Sequence, residues 1–325
     1  MRSADGQLVR PILLTLLCKA HVFVTAIVVT YNRPALLIKV LGAIDGQSRK
    51  PDQLLVIDNG SGQETVDALA QFAARTALAM TVVRSEANVG GAGGFALGMQ
   101  SAPKHADGWL WVMDDDAEPS SACLEQLLAL AQERPRSIIG PAAVGHAPDD
   151  GTLCWPAARP DGSTTRRLAD MEAAQEVFAL PFLGLLVPSA VLEAIGLPES
   201  RLFISGDDVD FTMRARKAGY PLYLQPTAIL HHPLPTLVPV RLGRRTIWLQ
   251  HIPAWKRYFE VRNRLWVARQ HHGRGQQLGV LVVTLYRMAW TLPTAEDRSQ
   301  QVKAYYHGMV DGMLGRLDRR PLGPH

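Results

Sequence analysis

Hydrophobic and polar positions in the first half of the chain follow two alternating periods. Val22 to Thr30 (VFVTAIVVT) is a continuous apolar run rich in β-branched residues, the pattern of a strand buried on both faces. After the polar Tyr31-Asn32-Arg33-Pro34 the spacing turns helical, through Leu36, Leu37, Val40, Leu41 and Ile44. The unit then repeats. Leu54 to Ile57 reads as a short buried strand, Asp58-Asn59-Gly60-Ser61-Gly62 as a turn, and Glu64 to Ala79 as a helix with Val66, Leu69, Ala70 and Ala73 on one side. Met80 to Arg84 predicts a third strand, a glycine-rich loop follows, and Trp109 to Met113 predicts a fourth. Doubly buried strands alternating with helices predict an α/β fold with a mainly parallel sheet, whose ligands gather at the carboxyl ends of the strands.

The second half is less regular. Residues 145 to 170, rich in Pro, Gly and Asp, read as a surface excursion, and Phe178 to Pro188 as an apolar stretch interrupted by Pro181 and Gly184. Ser189 to Ile195 predicts a short helix ending at Gly196, and Asp207 to Ala218 a helix stopped by Gly219. A second apolar stretch, Leu222 to Leu230, precedes His231-His232. Beyond Pro239 the pattern reads as basic, aromatic helical segments carrying Trp248, Trp255, Tyr258, Phe259 and Trp266. The expected organisation is an extension over residues 1–20, a catalytic-type α/β domain over 21–240, and a helical region over 241–325.

Composition narrows the class. With 47% hydrophobic and 20% charged residues in 325, the chain has ample material for a core, which excludes disordered, collagen-like and coiled-coil structures. Lys plus Arg (34) barely exceed Asp plus Glu (30), but Arg241, Arg244, Arg245, Lys256, Arg257, Arg262, Arg264, Arg269 and Arg274 face a single acid, Glu260, within residues 241–274. Such a stretch could meet anionic lipid, a diphosphate or nucleic acid; binding to DNA through it would fall steeply with salt, and no nucleic-acid partner is expected. Cys18, Cys123 and Cys154 are widely spaced, which argues against a disulfide framework or zinc site and for a reducing, cytoplasmic compartment. Arg10 followed by the apolar Pro11 to Cys18 resembles part of a signal peptide but lacks a small-residue cleavage site. The longest apolar candidate for a membrane span, Leu278 to Trp290, carries Arg287, so the chain is expected to rest on a membrane rather than cross it.

Three predicted strand ends deliver polar groups to one edge: Thr30 to Arg33, Asp58-Asn59, and Asp114-Asp115-Asp116. Three carboxylates directly after a buried strand repel one another unless a cation answers them, and oxygen ligands suit Mg2+ or Mn2+. The competing reading is an acidic cap on a helix beginning at Pro119, which needs one acid rather than three. Asp207, Asp208 and Asp210 open a predicted helix, where they serve either the helix dipole or, beside Gly206, as a general base. The glycine-rich Asn88 to Gly98 contains Gly91-x-Gly93-x-x-Ala96, a dinucleotide fingerprint. That fingerprint belongs after the first strand of its fold, whereas two strand-helix units precede it here; the alternative is a helix start closely approaching a nucleotide or the sheet.

Thr30 to Arg33, Asp58 to Ser61, Asn88 to Gly98, Asp114 to Asp116 and Gly206 to Asp210, in that order and spacing, resemble the inverting glycosyltransferases of family 2 with the GT-A fold, over roughly residues 22 to 235. Within it the glycine-rich string, the tryptophan-rich strand and the triple aspartate resemble bacterial galactofuranosyltransferases and some rhamnosyltransferases. The resemblance implies that Thr30, Tyr31, Asn32, Arg33, Asp58, Asn88, Gly91, Asp114 and Asp115 bind a nucleotide sugar, UDP-galactofuranose or alternatively dTDP-rhamnose. It implies that Asp114, Asp116 and His232 hold Mn2+ or Mg2+, that Asp208 is the catalytic base, and that Asp207, Gly184 and Trp155 face a glycan or polyprenyl-diphosphate-linked acceptor. A protein that keeps the fold but only binds nucleotide sugar or glycan is the non-enzymatic alternative; it predicts a broken acid set, and every acid is in place. Asp207 stands where the family commonly has glutamate, which leaves its role open between acceptor contact and cap.

Overall fold

The computed structural model describes residues 21–103, 105–146, 151–235, 237–242, 245–250 and 252–320; the expected N-terminal extension and Arg244 lie outside them. In chain order the strands and helices are β1 (Val24–Thr30), α1 (Pro34–Asp45), β2 (Gln53–Asp58), α2 (Gln63–Ala73), β3 (Met80–Arg84), α3 (Gly90–Ser101), β4 (Trp109–Asp114), β5 (Glu118–Pro119), α4 (Cys123–Glu133), β6 (Ile138–Val144), β7 (Thr152–Ala158), β8 (Thr164–Arg167), β9 (Gln175–Glu176), β10 (Leu183–Pro188), α5 (Ala190–Ile195), α6 (Asp207–Lys217), β11 (Leu222–His231), β12 (Leu237–Leu242), β13 (Arg245–Gln250), α7 (Ala254–Thr291) and α8 (Arg298–Leu314).

The central sheet runs β3-β2-β1-β4-β10-β6-β11-β5. β1 to β4 are mutually parallel, β10 is antiparallel to both β4 and β6, and β11 is parallel to β6, so a parallel half is joined to a mixed half. Side chains alternate across the strands. Val24, Ala26 and Val28 of β1 pack with Leu37 and Leu41 of α1 on one face, while Ile27 and Val29 pack with Phe95 and Met99 of α3 on the other. That double burial is why β1 reads as one apolar run.

The glycine-rich stretch, read as a loop, is helix α3. It lies so near the sheet that a Cβ at Gly94 would stand 2.4 Å from Val29 Cγ1, and one at Gly98 would stand 2.5 Å from Ile27 Cγ2. Close approach to the sheet is thus the service of these two glycines. Other expectations are corrected. Helix α2 ends at Ala73, not Ala79, and a turn carries the chain into β3. Glu118-Pro119 does not open a helix: the pair forms β5 against Leu230 and His231, and α4 begins only at Cys123, which removes the helix-cap account of the acids before it. Residues within 145–170 pair as the β7–β8 hairpin.

The largest difference follows residue 236. Residues 237–242 and 245–250 pair as the antiparallel strands β12 and β13, so Trp248 sits in a strand opposite Pro239 rather than in a helix. Helix then begins at Ala254 and breaks at Gly273 (φ 81°). α8 packs closely on the first part of α7, where a Cβ at Gly312 would stand 2.7 Å from the Arg262 carbonyl oxygen. The basic stretch is also more internal than its composition suggests. Arg257 and Arg262 are buried, and Glu260 accepts from Arg257 Nη1 at 2.6 Å and Arg287 Nη1 at 2.8 Å with Arg264 at 3.5 Å. Glu260, at helical spacing from Arg257 and Arg264 and met by Arg287 from beyond the break, turns part of an apparent charge patch into an ion-pair network.

Candidate active site

Parallel register lines up the strand ends. Thr30 of β1 pairs with Asp58 of β2, Asp58 with Arg84 of β3, and Val29 with Asp114 of β4. Asp58 is buried; its Oδ1 accepts from Ser61 N at 2.9 Å and its Oδ2 lies 3.5 Å from Arg84 Nη1. Arg84 also donates to the Ser61 carbonyl at 2.6 Å. Arg84 escaped the sequence reading, although a cation closing a strand beside two polar strand ends was the available signal.

The turn after β1 is knitted to the same edge. Asn32, at φ 54°, donates its N–H to Ser61 Oγ at 3.0 Å and accepts from Gly62 N at 2.7 Å. Thr30 Oγ1 donates to Asp115 Oδ2 at 2.7 Å, and Arg33 Nη1 reaches Asp115 Oδ1 at 3.3 Å and Asp116 Oδ2 at 2.9 Å. Asp115 is therefore spent on joining the β1 and β4 loops, while Tyr31 stays exposed above them. Asn88 Oδ1 accepts from Gly90 N at 2.9 Å, and nothing lies within 4 Å of a Cβ built at Gly91.

The three aspartates separate electrically. Burial pushes Asp114 well above the usual carboxylate range, and Asp116, Asp115 and Asp207 add to the push. Burial likewise raises Asp115 despite Thr30 and Arg33. At Asp116 burial is outweighed by His232 and Arg33, and the carboxyl falls below its ordinary value. His232 Nε2 stands 3.3 Å from Asp116 Oδ1, and its Nδ1 lies 2.8 Å from the Pro233 carbonyl oxygen. A carbonyl only accepts, so Nδ1 carries a proton, and Nε2 is the ring nitrogen left to face the Asp116 carboxylate. Either a proton on Nε2 or a cation bound by both groups can join them. His231 points elsewhere, with Nδ1 3.1 Å from the Gly145 carbonyl oxygen.

These donors fit a divalent cation of the Mg2+ or Mn2+ type. Among the described residues no three His, Cys, Asp or Glu side chains converge into a cage. A carboxylate and an imidazole beside a surplus of buried negative charge match an ion that takes its remaining ligands from water and a substrate diphosphate.

Across from this edge the acids of α6 sit behind an unusual backbone. Phe203 (φ 66°, ψ −58°) centres a γ-turn closed by Ile204 N on the Leu202 carbonyl at 2.8 Å, and Ser205 (φ 69°) and Gly206 (φ 86°) continue at positive φ. Each of the two non-glycine positions costs about 1–3 kcal/mol. The Phe203 carbonyl accepts from Ala92 N at 3.1 Å, docking this loop on the start of α3; a Cβ at Gly90 would stand 2.1 Å from that oxygen. Burial raises Asp207, helped by Asp208, and raises Asp208 to about 6 against the backbone N–H groups that hold it. Asp210 goes the other way: His271 and Arg214 outweigh burial and hold its carboxyl low.

Not every expected residue reaches the cleft. Gly184 is buried in a bulge of β10, where Trp111 Nε1 donates to its carbonyl at 3.0 Å and a Cβ would stand 2.7 Å from Leu230 Cδ1, so an acceptor contact through Gly184 is not available. Trp155 is exposed, its ring 5.2 Å from that of His232.

Comparisons with known proteins agree with this architecture. The model of the family described as "Glycosyltransferase like family 2" matches residues 21–274. The chain is 38% identical over 257 residues to galactofuranosyltransferase GlfT1 of Mycobacterium tuberculosis, covering 76% of this chain and 82% of that protein. It is 33% identical over 259 residues to GlfT1 of Mycolicibacterium smegmatis, covering 76% and 83%. In fold it resembles GalNAc-T7 solved with UDP, GalNAc and Mn2+ (TM-score 0.59, 15% identity, 88% of this chain and 55% of that one). It also resembles S. aureus TarS 1-349 in complex with UDP-GlcNAc (TM-score 0.57, 16% identity, 91% and 83%). The family match spans the whole set of strand ends and both acid groups, and the chain belongs to the family 2 glycosyltransferases, as a glycosyltransferase enzyme of galactofuranosyltransferase-like sequence.

Proposed function

We propose that the chain is a metal-dependent, inverting galactofuranosyltransferase. It moves galactofuranose from UDP-galactofuranose to a hydroxyl of a glycan or polyprenyl-diphosphate-linked acceptor in cell-surface polysaccharide synthesis, at the cytoplasmic face of the plasma membrane. The observation that supports the mechanism is that the start of α3 ties the two acid groups together, with Asn59 Nδ2 beside Asp58 donating to the Gly90 carbonyl at 3.0 Å and Ala92 N donating at 3.1 Å to the Phe203 carbonyl of the loop that leads into Asp207 and Asp208. The named galactofuranosyltransferase relatives support the choice of sugar.

In this reading the turn from Thr30 to Arg33 packs on the nucleobase, Asp58 accepts from its ring N–H, and Asn88 and Gly91 flank the donor. Asp115 keeps the β1 and β4 loops together. A divalent ion held by Asp114, Asp116 and His232 would neutralise the leaving diphosphate when bound. Asp208 takes the proton of the acceptor hydroxyl as that oxygen bonds to the anomeric carbon; the carbon–oxygen bond to the diphosphate breaks on the opposite side, and configuration inverts in a single displacement. Asp207, also pushed toward its neutral form, hydrogen-bonds the acceptor in this reading, and Trp155 packs on its sugar.

Membrane contact is supported by a face other than the basic stretch. Leu278, Val282, Val283, Leu285 and Tyr286 recur on one side of α7 beyond its break and are 47–65% exposed, with no charged side chain among them. No helix among the described residues is long and apolar enough to cross a membrane. Co-sedimentation with anionic phospholipid vesicles, lost in Val282→Glu, tests this contact.

The test of the activity is calorimetric titration with UDP, with and without Mn2+, followed by UDP-galactofuranose, UDP-galactopyranose and dTDP-rhamnose with product analysis. Metal-enhanced UDP binding and turnover of the furanose donor are expected. Turnover of dTDP-rhamnose alone moves the assignment to a rhamnosyltransferase, and binding without turnover of any donor refutes the catalytic reading.

A further inference from the structure

We propose that Asn263 and Arg262, on the first part of α7, are positioning residues for the acids at the start of α6, clamping the segment from Leu202 to Gly206 in the conformation that aims Asp208 at the acceptor. The proposal rests on Asp208 acting as the base. Asn263 is buried, and the two N–H groups of its Nδ2 are shared among three carbonyls of that segment: Leu202 O at 2.9 Å, Ile204 O at 2.9 Å and Ser205 O at 2.7 Å.

The amide cannot present its other face. Arg262 Nε donates to Asn263 Oδ1 at 2.8 Å, which fixes the oxygen toward the guanidinium and the nitrogen toward the loop. Arg262 is itself fully buried and holds the loop directly, through Nη2 to Arg201 O and Leu202 O, both at 3.0 Å. Its Nη1 donates to Leu317 O at 2.9 Å and Arg319 O at 3.1 Å, so the clamp is anchored in the chain after α8.

The loop needs holding. Phe203 and Ser205 occupy positive φ without being glycine, and such conformations persist only where surrounding contacts determine them. The Phe203 ring stacks on Phe259 of α7 at 4.9 Å, one helical turn before Asn263. On the other side the Phe203 carbonyl meets α3. Helices after residue 250 thus set the geometry of the acid pair from behind, although every chemical group of the proposed reaction lies before it.

Two variants separate polarity from packing. Asn263→Ala removes the donors. Asn263→Asp keeps the oxygen that Arg262 holds and nearly the same volume, but turns a second oxygen onto three carbonyls. Both are expected to lower kcat about 30- to 100-fold while KM for the nucleotide sugar and the calorimetric Kd for UDP stay within about threefold. Amide hydrogen exchange of residues 202–209 is expected to quicken in both. Ser205→Gly, added to Asn263→Ala, should recover kcat about tenfold, since glycine adopts that φ unaided. The proposal is overturned if Asn263→Asp keeps kcat within about threefold of the parent, if exchange of the loop is unchanged, or if UDP affinity falls in parallel with kcat. A parent that turns over no nucleotide sugar overturns the transferase reading instead, and the exchange measurement still decides whether the clamp exists.

Discussion

Adjacent glycines at the start of α3 make opposite predictions for the same substitution. Gly90 has φ 76°, and a Cβ there would stand 2.1 Å from Phe203 O and 2.6 Å from Phe203 Cδ2. The left-handed backbone costs an alanine about 1–2 kcal/mol, and the overlap about 1–3 more, for a total of roughly 3 kcal/mol. A carbon beside a carbonyl oxygen wants more than about 3 Å, so the Phe203 carbonyl must retreat by about 1 Å. That carbonyl belongs to the loop leading into Asp207 and Asp208, and a misplacement of this size costs about 100-fold in turnover. Gly91, one residue on, has nothing within 4 Å of its would-be Cβ, so alanine there is neutral or stabilising by up to about 1 kcal/mol. Thermal melts should show Gly90→Ala about 5–10 °C lower and Gly91→Ala level or higher. Steady-state kinetics should show the kcat loss only in Gly90→Ala, while any rise in donor KM for Gly91→Ala reports contact with the nucleotide sugar. The reasoning fails if Gly90→Ala melts within about 2 °C of the parent and keeps kcat within about threefold.

Other outcomes follow from the acids. Because Asp208 must be ionised to take a proton and is pushed up to about 6, kcat/KM should fall about tenfold per pH unit below that value, and Asp208→Asn should lower kcat about 10²- to 10⁴-fold with UDP binding retained. Stability runs in the opposite direction. The folded chain holds Asp207 and Asp208 protonated at pH values where the unfolded chain has released those protons, so the pair weakens the fold increasingly as pH rises from the ordinary carboxylate range through the raised values. Asp207→Asn should therefore raise Tm more at about pH 9 than at about pH 5 in a melt series, and an equal shift at both would contradict it. Asp116→Ala should abolish the enhancement of UDP binding by Mn2+, leaving the metal-free affinity within about threefold, as titration in the presence and absence of a chelator will show.

Much of the donor edge was legible in the chain because parallel strands buried on both faces announce themselves as apolar runs, and each polar group at an end is then one register step from the next. Thr30, Asp58 and Asp114 needed no coordinates to be placed together. The pairing of Asp116 with His232 rather than His231 followed from the family's spacing, and the structure supplies the reason in the Pro233 carbonyl that fixes the imidazole. Arg84 was missed because a single arginine at a strand end looks like any solvated terminus until Asp58 is seen beside it.

What sequence by itself determined is the four strands of the parallel half and the first two helices between them, the acids at its edge and the helix stops at Gly196 and Gly219, because local periodicity and backbone chemistry encode them. Tertiary structure alone decided that Asp115 is spent within the protein, that Gly184 is sealed in a bulge, and that Arg257 and Arg262 are internal. It also decided that Trp248 lies in a strand and that Phe203 is strained. Each depends on which distant group arrives at a given side chain, and burial and partners at such separations leave no periodic trace in the chain.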